Sequence, residues 1–388
     1  MLPFLSHHSI THKKVLLRVD FNVSLNANAT IADDTRIQQA LPTIKLLLKN
    51  QNKIILVSHL GEPKKRDMMF SLKRVAKDLA KYLPSYHIHL VDDFLTDHKV
   101  LKEQKQNEIL LLENIRFYPG EKANDPVFAK QLASLADVYI NDAFGVSHRK
   151  DASIVSVPQL LPHYAGLLLE NEITMLDKVI HHPEKPFVAI LGGSKVSTKI
   201  KLVTKLLQLA DSVLIGGGMA NTFLAAQRFS IGKSFYEPDA VSFAKQLLTM
   251  TYGKNTKVIL PQDGIVQGKT IHEVNVKDVK ADESILDIGA ETQAVFGQHI
   301  ATARTIIWNG PVGKFEDPAF SRGTEFIYYS ITQNSQAMSV IGGGDTLAAM
   351  KNKEYREKIT HISTGGGAML EYIEKETLPG IEALNKAN

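Results

Sequence analysis

Lys195 and Lys199 stand four residues apart just beyond Phe187-Val188-Ala189-Ile190-Leu191-Gly192-Gly193, an apolar run that breaks at two glycines. Residues four apart on a helix share a face, so both ammonium groups could reach one ligand. The apolar run suits a parallel strand covered on both faces. The glycines admit close backbone approach, and amide N–H groups at a following helix start favour an anion. The chemistry of such a stretch is phosphate binding. An ordinary strand-to-helix turn with two solvated lysines fits the same residues. The spacing differs from Gly-x-x-x-x-Gly-Lys-Ser/Thr, and Gly-x-Gly-x-x-Gly occurs nowhere in the chain.

Further along, Gly216-Gly217-Gly218, Asn309-Gly310-Pro311, Gly342-Gly343-Gly344-Asp345-Thr346 and Thr364-Gly365-Gly366-Gly367 also follow short apolar runs. Such turns let backbone lie close to a ligand and suit the phosphate chain of a nucleotide. The first half of the chain offers side chains instead, among them Arg36, His59, Arg116 and Arg149. Arginine forks suit a small carboxylate or phosphate. Two domains holding two anions across a cleft is the layout of a phosphoryl transferase that closes to exclude water.

The elements that must position these groups alternate. Val15-Leu16-Leu17-Arg18-Val19, Ile54-Ile55-Leu56-Val57, Ile88-His89-Leu90-Val91, Ile109-Leu110-Leu111-Leu112 and Val138-Tyr139-Ile140 are strand-like runs separated by amphipathic, helix-length stretches. Asp20 and Asn22, Ser58 and His59, Glu113, Asn114 and Arg116, then Asn141 and Asp142 follow four of them. In open α/β sheets ligands sit at the carboxyl ends of strands, so these groups should share one rim. Tyr164 to His182 reads as one long helix ending at Pro183. The alternation then restarts, with strands expected near 187–191, 212–215, 257–260, 304–308, 339–341 and 359–363. The pattern predicts an α/β protein of two doubly wound parallel-sheet, Rossmann-like domains joined by a long helix, with a cleft between them.

Composition agrees. A chain of 388 residues exceeds what one core usually organises. The absence of cysteine excludes disulfides and thiol catalysis, and a net charge of +4 is too mild and spread to argue for nucleic acid. No apolar run has the length of a membrane span, and residues 1–12 lack the features of a secretory signal, so a cytoplasmic location is expected. His7, His8, His12, His181 and His182 have no spacing that argues for a metal.

In its motifs the chain resembles the phosphoglycerate kinase family nearly end to end. The resemblance rests on Arg18-Val19-Asp20-Phe21-Asn22-Val23, Asp34-Thr35-Arg36-Ile37, Ser58-His59-Leu60-Gly61 and Leu112-Glu113-Asn114-Ile115-Arg116-Phe117. It continues through Asn141-Asp142-Ala143-Phe144-Gly145, Ser147-His148-Arg149, Gly192-Gly193-Ser194-Lys195-Val196, Trp308-Asn309-Gly310-Pro311-Val312-Gly313 and the glycine turns at 342–346 and 363–368. It implies reversible transfer of the acyl phosphate of 1,3-bisphosphoglycerate to ADP with Mg2+, giving 3-phosphoglycerate and ATP in glycolysis, by a monomer. Asp20, Asn22, Arg36, His59, Arg116 and Arg149 match the family's phosphoglycerate positions. Lys199, Asn309, Glu316, Gly342, Gly343, Gly344, Asp345 and Thr346 match its nucleotide positions, with Asp345 holding the magnesium. Arg36 and Lys195 match the groups that grip the phosphoryl in transit, helped by the main-chain N–H groups of Gly342 and Gly365. The expected domains are 1–170 for phosphoglycerate and 171–377 for nucleotide, with a tail, 378–388, folding back on the first.

Five departures from the family pattern stand out. Glu62 replaces a usual arginine, and the neighbouring Lys64, Lys65 and Arg66 suggest that Glu62 turns outward while one of them supplies the lost charge. Ser24 replaces a proline, which should loosen its loop. Ser194 and Thr198 replace alanine and aspartate, and Met369 replaces a serine that would help cap a helix. The rival readings are a nicotinamide-dependent dehydrogenase, weakened by the missing dinucleotide fingerprint, and a non-catalytic binding protein of the same fold.

Overall fold

The computed structural model describes residues 2–26, 28, 30–251 and 255–386, and the chain divides into two compact units. One unit comprises 1–174 with 375–388, the other 175–374. Met1 and the last two residues of the expected tail, Ala387 and Asn388, lie outside the described residues.

Among the described residues the first unit holds a six-stranded sheet: β1 (Lys14–Val19), β2 (Lys53–Val57), β3 (His87–Val91), β4 (Glu108–Leu112), β5 (Val138–Asp142) and β6 (His163–Ala165). The spatial order is β3-β4-β2-β1-β5-β6, parallel throughout. Leu16 pairs with Ile55 on one side and Tyr139 on the other, and all three are fully buried. That double-sided burial is why the strands read as continuous apolar runs. Helix α1 (Thr35–Lys49) lays Ile37, Ala40, Leu41, Ile44, Leu47 and Leu48 into the same core at helical spacing.

One boundary departs from the sequence pattern. Tyr164 belongs to β6, and helix α2 begins only at Leu167, running to His181. Pairing with β5 captures the backbone first: Tyr139 N donates to Pro162 O and Gly166 N to Asn141 O. Asp142 Oδ1 then accepts from the amides of Leu168 and Leu169 at 2.9 and 3.2 Å, filling orphan donors of the first helical turn. The division between the units falls within α2.

In the second unit the described strands are β7 (Phe187–Leu191), β8 (Ser212–Ile215), β9 (Lys257–Ile259), β10 (Thr305–Asn309), β11 (Met338–Gly342) and β12 (His361–Ile362), in the order β9-β8-β7-β10-β11-β12. This is the doubly wound order whose direction of winding reverses between β7 and β10, the usual place for a ligand. Both units are therefore parallel-sheet α/β structures. The periodicity gave no sign of two antiparallel additions: the three strands Asp263–Gln267, Ile271–Asn275 and Ser284–Ile288, and a ribbon of Ser24–Leu25 with Ile31–Asp33. Most of their residues are half-buried or exposed, so they lack the solid apolar run of the central strands.

The chain's last described helix, Pro379–Asn385, buries Ile381, Ala383 and Leu384. Its Gly380 N donates to Ser147 O at 2.8 Å, and His163 Nε2 lies 3.2 Å from Leu384 O. A Cβ on Gly380 would meet Ile154 at 2.8 Å, so glycine is needed for this approach.

Candidate active site

In the first unit the polar residues that follow β1, β2 and β4 gather through mutual hydrogen bonds, whereas Asn141 bonds to Ala143 N and Ser147 Oγ, and Asp142 bonds to the start of α2. Asp20 Oδ2 accepts from Arg36 Nη1 at 2.6 Å, and its Oδ1 accepts from Asn22 N at 3.2 Å. Asn22 Oδ1 accepts from Gly61 N at 2.8 Å, and Ser58 Oγ from Phe21 N at 2.8 Å. The loops after β1 and β2 are thus pinned to one another. Asn114 Oδ1 accepts from Arg116 N, closing the tight turn Ile115–Phe117 that presents the arginine. Arg116 Nη1 reaches Gly61 O at 2.8 Å.

His59 is fully buried at the centre of this cluster. Burial, and then the charges of Arg18, Arg116, Arg149 and Arg36, hold its pKa well below the ordinary histidine value, so the ring is neutral. Arg18 Nη2 lies 3.4 Å from His59 Nδ1. An arginine can only donate, so Nδ1 is the acceptor and the ring proton sits on Nε2. That buried Nε2 has no hydrogen-bond partner among the described residues, and neither have Arg116 Nε and Nη2 or Arg149 Nε. Asp151 Oδ2 stands 3.7 Å from Arg116 Nη2, beyond hydrogen-bond reach. Buried donors left without acceptors are costly, and several of one sign together form an anion site.

Glu62 does not turn outward. Its Oε1 accepts from Arg116 Nη1 and Arg149 Nη1, each at 2.8 Å, and its Oε2 pairs with Lys122. Arg66, one of the proposed replacements, pairs with Asp92 instead. The carboxylate follows the strongest local field, which comes from residues distant in sequence.

In the second unit the turns after β7, β8 and β10 lock together by backbone. Gly192 N donates to Asn309 O, Gly193 N to Pro311 O, Gly216 N to Leu191 O and Gly217 N to Val312 O, all between 2.8 and 2.9 Å. A Cβ on Gly192 would stand 2.1 Å from Pro311 O, so only glycine permits the contact. These amides are therefore engaged and do not point at a ligand. Ser197–Lys199 is a short 3-10 turn, and the α-helix starts at Ile200, so the two lysines precede the helix rather than sharing its face. Glu237 Oε2 accepts from Val196 N and Ser197 N at 2.5 and 3.0 Å, occupying the amides expected to meet phosphate.

Lys199 folds back, its Nζ donating to Gly192 O at 2.8 Å. Burial lowers its pKa to about 8, against a smaller opposing pull from Asp345. Lys195 is exposed. Asn309 Nδ2 donates to Gly342 O at 2.7 Å, while Thr346 Oγ1 accepts from Gly310 N and donates to Gly342 O. Both side chains fix turns. Gly342 ends β11, and Gly365 N lies 3.3 Å from Ser363 Oγ. Gly343 (φ 109°) then turns the chain into the short helix Gly344–Ala349. A Cβ on Gly344 would find nothing within 4 Å, so the turn is open at Gly344, while Gly342 and Gly343 are closed in by Met369 and Asn309. Beside it lies a cavity of about 290 Å³ lined by Leu224, Phe235, Ile285 and Val312, with Lys314, Glu316 and Asp345 also on its wall. Met369 is not a cap: it is fully buried, and its sulfur occupies the space a Cβ on Gly342 would need.

Residues that the sequence reading gave no site role also shape the site. Arg18 is fully buried, with Nε donating to Ser153 Oγ at 2.9 Å, and Glu121 accepts from Ser153 N and Oγ. A lone arginine inside an apolar strand was the available signal, since a buried charge requires partners. Lys122 and Glu237 carried no such signal. Among the described residues no group of His, Asp and Glu is arranged to hold a metal by itself, and no helix is long and apolar enough to cross a membrane.

A family model described as phosphoglycerate kinase matches residues 5–376. The phosphoglycerate kinase of Dictyoglomus turgidum is 46% identical over 380 residues, covering 96% of this chain and 95% of that protein. That of Koribacter versatilis is 45% identical over 390 residues, covering 97% of each. Among solved structures, phosphoglycerate kinase from Coxiella burnetii matches with a TM-score of 0.90 at 38% identity over 99% of both chains. The Pyrococcus horikoshii OT3 phosphoglycerate kinase gives 0.85 at 32% identity, over 99% of this chain and 98% of that one. Likeness of this degree runs through both units, and the chain belongs to the phosphoglycerate kinase family.

Proposed function

We propose that the protein transfers the acyl phosphate of 1,3-bisphosphoglycerate to Mg-ADP, reversibly, giving 3-phosphoglycerate and ATP, as a monomeric cytoplasmic enzyme of glycolysis. The observation that carries the reading is the buried set of donors without acceptors, His59 Nε2–H with the free N–H positions of Arg116 and Arg149. These bind the anionic groups of the acid, while Asp20 and Asn22 hold the loops that present them. The phosphorus–oxygen bond to the carboxyl breaks as a terminal ADP oxygen forms the new one, and the released carboxylate takes the electron pair. No proton moves, so no general base is needed. Arg36 and Lys195 neutralise the three equatorial oxygens of the group in transit.

On the nucleotide side, Lys199 and Glu316 bind directly, and the turn of Gly342, Gly343 and Gly344, open at Gly344, lies along the phosphates, helped by the amide of Gly365 once it leaves Ser363 Oγ. Asn309 and Thr346 contribute by fixing that turn. The Asp345 carboxylate is exposed and carries no hydrogen bond or ion pair among the described residues, which fits a hard oxygen donor available to magnesium. Magnesium, when bound, neutralises the charge of the nucleotide phosphates. A coupled assay following ATP-dependent consumption of 3-phosphoglycerate tests the reading, and folded protein without turnover would overturn it.

A further inference from the structure

The turn after β2 carries Glu62 into the arginine site. Gly61 has φ +62°, and a Cβ there would meet the Phe70 ring at 2.4 Å, so glycine fixes the direction of the turn. The Glu62 carboxylate then bridges Arg116, Arg149 and Lys122. Partial burial would raise its pKa, but hydrogen bonds from Lys122 and Arg149, with the charge of Arg116, hold it at about 2. It is therefore ionised at any working pH. A carboxylate on two guanidinium groups is the arrangement a carboxylate or phosphate substrate would itself adopt. Arg116 is almost wholly buried, whereas Lys122 is about half exposed. The bond to Lys122 thus lies at the exposed end of the bridge and those to Arg116 and Arg149 further in.

Resting on the functional reading above, we propose that Glu62 is a built-in competitor for the substrate's anionic group: it occupies Arg116 and Arg149 until phosphoglycerate displaces it. It compensates two charges that would otherwise face one another, and it sets the affinity for the acid without touching the nucleotide. A shape-conserving Glu62→Gln removes the charge and keeps the side chain, while Glu62→Arg restores the family's usual residue.

Calorimetric titration with 3-phosphoglycerate, steady-state kinetics and thermal melts on the wild type and both variants test this. In each variant the Kd and KM for 3-phosphoglycerate should fall about tenfold, the scale of one competing charged hydrogen bond. The KM for ATP should stay put, and the melting-temperature rise on adding 3-phosphoglycerate should exceed that of the wild type. Unchanged or weaker binding of the acid in both variants overturns the proposal while leaving the kinase reading intact. A wild type that neither binds 3-phosphoglycerate nor turns it over with ATP overturns both.

Discussion

The arginine site of the first unit and the glycine turns of the second offer anions two different surfaces. In the first, the loops are held by polar side chains, so that Arg116, Arg149 and His59 keep donors unfilled. In the second, the loops are held by one another's backbone, so that Gly192, Gly193, Gly216 and Gly217 have already used theirs. In the proposed reading the first would hold an anion through charge withheld from solvent and the second through shape. Substitutions in the first should alter chemistry or affinity, and those in the turns should alter folding unless they fall on the open one.

The largest effect is expected at Arg36. Arg36→Ala should lower kcat by about 10³-fold or more, in the range of cations that stabilise a phosphoryl in flight. Nucleotide Kd by calorimetry should barely move, and equal losses in both would assign Arg36 to binding. Next comes Lys199→Met, which should weaken ADP binding by about 10- to 100-fold, the usual loss for a hydrogen bond to a charged group. The pH dependence has a definite sign. Between about pH 8 and the ordinary lysine value of 10.5, the folded protein holds fewer protons on Lys199 than the unfolded chain does. Stability from this group therefore rises with pH across that window, and Lys199→Met should abolish the rise. Binding of ADP should also restore the proton, seen near pH 8.5 as proton uptake in buffers of different ionisation enthalpy.

The two smaller effects separate the locked turns from the open one. Gly192→Ala drives a Cβ to within 2.1 Å of Pro311 O and should cost at least about 1–3 kcal/mol, read from denaturant unfolding. Gly344→Ala meets nothing within 4 Å and should change stability by under about 0.5 kcal/mol. Its ADP affinity should nevertheless drop severalfold, because the added methyl stands where the phosphates are proposed to lie. If Gly344→Ala instead unfolds the protein and Gly192→Ala does not, the contrast between the turns is wrong.

The sequence was informative wherever burial dictated residue type. Leu16, Ile55, Ile190 and Ile307 sit in strands because both faces of each sheet are covered, and that leaves an unbroken apolar run. The polar residues after those runs had to share a rim once the strands were parallel. What stayed hidden depended on partners far along the chain. Lys64 and Lys65 are neighbours of Glu62 in sequence, yet its charge is met by Arg116 and Arg149, 54 and 87 positions away. Val196 and Ser197 lose their amides to Glu237, about 40 positions on. Glycine repeats advertise close approach without saying whether the visitor is a ligand or another turn. Tyr164 read as helical because its apolar neighbours suit either state, and only the exposed edge of β5 decided for a strand.

The arginine-bearing unit needs both 1–174 and 375–388, whereas the other is the uninterrupted segment 175–374. During translation at about 5–20 residues per second, the ribosome takes roughly 10–40 s to make that segment. Throughout this delay the surface around Ser147, Ile154 and His163, later covered by Pro379–Asn385, stays bare. The half of the molecule made first is thus finished last.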